Sequence, residues 1–93
     1  MLLQAKNEES GVQLIFSMNT IGEARLNIWF TKDSNRHSCK DTKFAALDKI
    51  GATQWLNNGQ IKNWVKGEAG GIGVQLLEMI YKEASEEAMS IKT

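Results

Sequence analysis

The chain has 93 residues, 42% hydrophobic and 24% charged, with zero net charge, which describes one ordinary globular domain rather than a disordered chain. No apolar run approaches the roughly 20 residues of a membrane span, so no membrane association is expected. The single cysteine, Cys39, excludes an internal disulfide and makes the cytoplasm the expected compartment.

The first ten residues, MLLQAKNEES, have no basic start, no long apolar centre and no small-residue cleavage site, so no secretion signal is expected. Leu2 to Asn7 reads as a short first strand. Lys6 to Gly11 then reads as a turn in which Gly11 is free to take a positive φ. Val12 to Asn19 alternates with period two: Val12, Leu14, Phe16 and Met18 on one face, Gln13, Ile15, Ser17 and Asn19 on the other. This is the signature of a half-buried strand. After turn chemistry at residues 19–23, Leu26, Ile28 and Phe30 alternate with Asn27, Trp29 and Thr31 and give the partner strand. Each strand places one bulky apolar residue on its polar phase, Ile15 and Trp29. Either another element covers them or they form an apolar patch for a partner.

Residues 32–41, KDSNRHSCKD, have no period and read as a loop. Asp41 or Thr42 can cap a helix starting at Lys43, with Phe44, Leu47 and Ile50 on one side and Gly51 as its C-terminal cap. Thr53 to Leu56 adds a helical turn closed by Asn57, Asn58 and Gly59. With no proline anywhere in the chain, such ends must be set by Gly, Asn, Ser and Thr. From Gln60, the spacing of Ile61, Trp64 and Val65 predicts a short helix ended by Gly67 and the Gly70-Gly71 pair. The last element is the most regular. Ile72, Leu76 or Leu77, Ile80, Tyr81, Ala84, Ala88 and Ile91 form one apolar stripe opposite Glu78, Lys82, Glu83, Ser85, Glu86 and Glu87. The expected fold is α+β in a single domain, residues 1–93. It has an antiparallel hairpin or three-stranded meander, two short helices, and a long C-terminal amphipathic helix packed on the sheet.

Charge is unevenly spread. Residues 24–66 hold eight basic residues (Arg25, Lys32, Arg36, Lys40, Lys43, Lys49, Lys62, Lys66) against three acids, Asp33, Asp41 and Asp48. The remainder holds three basic residues and eight acids, an asymmetry that either divides the surface into two signs or is averaged out by folding.

Few residues carry recognisable chemistry. His37 and Cys39 begin a metal-ligand pattern, but zinc needs three or four ligands and the chain has no other Cys or His. No metal is expected, and the pair reads as loop residues. The run GEAGGIG, residues 67–73, precedes a helix as a phosphate cradle does. A dinucleotide fingerprint needs a strand before it, and a phosphate loop needs Lys-Ser or Lys-Thr after it; here a helix precedes and Val74-Gln75 follow. No cofactor is expected. There is no Ser-His-Asp set and no distinctive carboxylate pair, so an enzyme is the least supported class.

Gln60 to Lys66, QIKNWVK, combines amides for base edges with lysines for phosphates. These seven residues resemble the tryptophan-bearing third helix of homeodomains and the second helix of some repressor helix-turn-helix units. The basic tail of homeodomains is replaced by Glu68 and glycines, and zero net charge removes the usual electrostatic footprint. Nucleic-acid binding through Arg36, Lys62 and Lys66 is therefore the second reading. The first is protein binding, with Trp29, Ile15 and Trp64 as anchors and Lys62, Lys66 and Arg36 beside them. The long helix is also suited to pairing with its copy in a homodimer.

The pattern Q-I-x-x-W-V-x-G at residues 60–67, a glycine connector, and a helix carrying K-E-A-S at residues 82–85 resembles part of one further family. That family is the small phage inhibitors of type I-F CRISPR complexes, over their C-terminal half. The match covers under a third of the chain and includes a gap. Those inhibitors also place strands first and helices last. The resemblance implies a phage or mobile-element accessory protein acting on a host protein or complex.

Overall fold

A computed structural model describes residues 1–21, 23–30, 38–43 and 51–91, with side chains at 1–21, 23–30 and 53–86. Four strands form one antiparallel sheet in the order β1-β2-β3-β4: β1 Leu2–Asn7, β2 Val12–Met18, β3 Ala24–Phe30 and β4 Ser38–Lys43. Two helices follow, α1 Gly51–Leu56 and α2 Gly59–Ile91. The fold is the expected α+β arrangement, a meander followed by helices.

Register follows from the turns. Between β1 and β2, Asn7 Oδ1 accepts the Ser10 N–H at 2.9 Å and Asn7 O accepts the Gly11 N–H at 2.9 Å. Gly11 has φ 74°, the left-handed conformation that only glycine adopts without a Cβ penalty. Between β2 and β3, Asn19 Oδ1 accepts the N–H groups of Ile21 (3.1 Å) and Glu23 (2.9 Å), and Asn19 Nδ2 donates to Glu23 Oε1 at 2.9 Å. These two asparagines pin Leu14 opposite Ala5 and Ile28, and Phe16 opposite Leu3 and Leu26. Directly opposed residues lie on the same face. All eight of Leu3, Ala5, Val12, Leu14, Phe16, Ala24, Leu26 and Ile28 are consequently buried on one side.

The helices cover that side. α2 lies over β1 and β2 with lighter contact to β3, and α1 packs against α2. Ile61, Val65, Leu76, Leu77, Ile80 and Ala84 of α2 and Leu56 of α1 join the sheet residues in one core. Trp55 of α1 meets Phe16 with ring centroids 5.3 Å apart. Asn58 caps α2, its Oδ1 accepting the Gln60 N–H at 2.9 Å, which satisfies one of the free donors of the first turn.

α2 is not straight. Gly70, at φ 68° and ψ −156°, interrupts it, in a region of backbone space that is essentially glycine-only. The segments are 59–69 and 71–91. They close tightly just after the break: a Cβ added at Gly73 would sit 2.6 Å from the Ala69 Cβ and 3.0 Å from Val65 Cγ1. The interrupting residue is Gly70 alone. Gly67, expected to help end the first helix, lies within it.

Three further expectations need correction. Residues 38–43, placed in a loop or at a helix start, form β4, so Asp41 and Thr42 are strand residues rather than caps; pairing with β3 supplies the hydrogen bonds its own sequence pattern does not announce. Gly51 lies within α1 rather than capping a helix C-terminus. Ile72 leaves the buried stripe and is 37% exposed, because the stripe only reaches the sheet from Leu76 onward. Tyr81, expected on the same stripe, is half-buried and packs against the core. The expected helix face of Phe44, Leu47 and Ile50, and the His37 loop position, lie outside the described residues.

Candidate functional site

With the core on one side of the sheet, period-two alternation sends a defined set of side chains to the other. Strand register arranges them in three rows. Leu2, Ser17 and Arg25 make one; Gln4, Ile15 and Asn27 the next; Lys6, Gln13 and Trp29 the third. The backbone of β4 continues these rows at Lys43, Asp41 and Cys39 in turn. Ile15 and Trp29 are diagonal neighbours on adjacent strands, a relation that puts Cα atoms roughly 7–8 Å apart and within side-chain reach.

Both described helices lie on the opposite side of the sheet. Ile15 and Trp29 are half-buried, as are Gln13, Ser17 and Asn27, while Leu2, Gln4, Lys6 and Arg25 are exposed. Gln13 Nε2 donates to Gln4 Oε1 at 3.0 Å, a cross-strand bond that orders the surface beside Ile15. Asn27 Oδ1 is buried and accepts no hydrogen bond from the described residues. An acceptor in that state costs about 1–3 kcal/mol, and it sits in the middle row next to Ile15. The described side chains of this face include two cations, Lys6 and Arg25, and no carboxylate.

The other residues singled out from the sequence lie elsewhere. Trp64 is in the first segment of α2, half-buried and packed against the core. Lys62 and Lys66 are exposed on that segment, one turn apart. Lys62 Nζ is 3.6 Å from Glu78 Oε1, so its charge is met by the second segment of the same helix. Arg36 lies outside the described residues. The structure therefore brings Ile15 and Trp29 together on the sheet and places Trp64, Lys62 and Lys66 in the helical layer behind it. It adds Asn27, Arg25, Gln13 and Leu2 to the sheet face. Their membership needed only the strand register, because each falls on the polar phase of an alternating run.

Among the described residues no three His, Cys, Asp or Glu side chains come together as metal ligands do, and no described helix is long and apolar enough to cross a membrane. No family model, curated protein or solved structure matches the chain.

Proposed function

We propose that this domain is a small non-catalytic binding protein that engages another protein through the sheet face bearing Ile15 and Trp29. One observation carries the reading: an aliphatic and an aromatic side chain are diagonal neighbours on the face that neither described helix covers. Large apolar groups framed by amides and cations are the usual make-up of a protein-contact centre and its rim.

A phage or mobile-element accessory role, directed at a host protein or complex, is the biological setting we attach to this reading. Its support is the likeness of the stretch from Gln60 to Ser85 to small phage inhibitors, together with the shared order of strands first and helices last. Self-association through α2 fits the same reading, since it leaves the sheet face to the partner. Nucleic-acid binding has weaker support, because Lys62 is engaged by Glu78 and its neighbour Lys66 is followed by Glu68 and glycines.

The test is a comparative pull-down from the source cell with the wild type and Ile15→Lys. Because Ile15 is half-buried on a strand, this change costs about 1 kcal/mol, and thermal melting verifies that the variant is folded. The wild type is expected to retain a protein that the folded variant loses. Equal retention by both, or retention of nucleic acid in place of protein, overturns the reading.

A further inference from the structure

Gly70 divides α2 into arms that both contribute to the core: Ile61 and Val65 on the first, Leu76, Leu77, Ile80 and Ala84 on the second. The fold-back therefore depends on one residue in a glycine-only conformation. A Cβ built at Gly67, Gly70 or Gly71 meets nothing within 4 Å, so crowding does not exclude a side chain at these three positions, and what disfavours one at Gly70 is its backbone conformation. The closed state makes a second demand, at Gly73, where Ala69 and Val65 leave no space for a side chain.

The alternative conformation of these residues is an uninterrupted helix, which regains the hydrogen bonds broken at Gly70. A straight α2 of 33 residues is about 50 Å long at 1.5 Å per residue, whereas the longest dimension of the folded domain is 42 Å. It cannot stay on its own sheet along both arms. Straightening carries residues 71–91 off the core and leaves Leu14, Phe16 and their neighbours uncovered. The surface already shaped to that uncovered core is the same arm of a second copy, through Leu76, Leu77, Ile80 and Ala84. Exchange restores every contact of the arm and changes only the hinge, which is the general route of domain swapping.

We infer that α2 is a two-state element, folded back at Gly70 in the monomer and continuous in a reciprocal dimer in which each chain's 71–91 arm completes the other chain's core. The Lys62–Glu78 pair distinguishes the two states. It joins the arms of one chain in the folded-back form. In a straight helix the two positions would be about 24 Å apart along the axis, and Lys62 meets the Glu78 of the other chain instead.

The experiment compares the full chain carrying glycine, L-alanine or D-alanine at position 70. D-Alanine suits φ 68° and ψ −156°, the mirror image of an extended conformation that L-residues adopt freely; L-alanine does not, and it favours helix. Gly70→Ala is expected to move the protein toward a folded dimer by light scattering, raising its association constant roughly 10-fold to 100-fold. The D-alanine protein stays monomeric. Lys62→Cys with Glu78→Cys in a Cys39→Ser background, treated with a short bismaleimide, should cross-link within the chain when residue 70 is glycine and between chains when it is L-alanine. A Gly70→Ala protein that is a folded monomer, that dimerises with the cross-link still internal, or that loses its helical circular dichroism overturns the inference. Dimerisation of the D-alanine protein does so as well.

Discussion

Trp64 illustrates how a single residue changes meaning once its surroundings are known. Its spacing with Ile61 and Val65 suits a helix face, and its neighbours Lys62 and Lys66 suit a nucleic-acid contact. In the fold it packs against the core from the first arm of α2, with Ile61 and Val65 buried on either side. We predict that Trp64→Ala lowers stability by about 2–3 kcal/mol, below the 3–5 kcal/mol typical of fully buried tryptophan because the residue is half-buried. Urea unfolding measures this, and a loss under about 0.5 kcal/mol, the level of an ordinary surface change, would contradict the placement. Ile15 and Trp29 make the reverse case. They stand out in the sequence because they break a polar phase, yet only register shows that they are neighbours. Asn27 was legible as a member of the polar phase beside Trp29, but the state of its oxygen, buried and accepting no hydrogen bond from the described residues, was not.

At the scale of elements, what the sequence revealed depended on whether an element's own pattern or its neighbours hold it in place. β2 and β3 alternate cleanly, and β1 follows from its position before the Gly11 turn. β4, reading SCKDTK, has no apolar alternation. It is an edge strand, where polar and charged residues are common and the partner's hydrogen bonds supply the structure. The break in α2 was legible as a glycine cluster but not as a position, since Gly67, Gly70 and Gly71 lack side chains alike and only tertiary packing selects which one leaves the helix. The start of α2 is better specified: Asn58 provides the cap. Asn58→Ala should cost about 1 kcal/mol, a fall of about 4–8 °C in melting temperature for a domain of this size. Asn58→Asp should keep the bond and add a favourable charge at the helix start. Equal melting of the Ala and Asp variants would show that the cap contributes nothing.

For the whole molecule, the consequence of the meander is a division of labour between two faces. One face of the sheet is covered by the helices and accounts for the core; the other holds Ile15, Trp29 and their polar frame. Of the eight basic residues that crowd the middle of the sequence, the three with described side chains are parted by folding. Arg25 goes to the sheet face, and Lys62 and Lys66 go to the helical layer, where Glu78 answers Lys62. Among the described residues, that separation favours a contact built on apolar anchors over one built on a continuous positive surface. The most direct measurement is amide chemical-shift mapping of the labelled domain on addition of the protein it retains from its source cell. The account predicts that the changes gather at Gln4, Gln13, Ile15, Arg25, Asn27 and Trp29 across three strands. Changes gathered instead at Lys62, Trp64 and Lys66 of α2, with the sheet face unmoved, would contradict it.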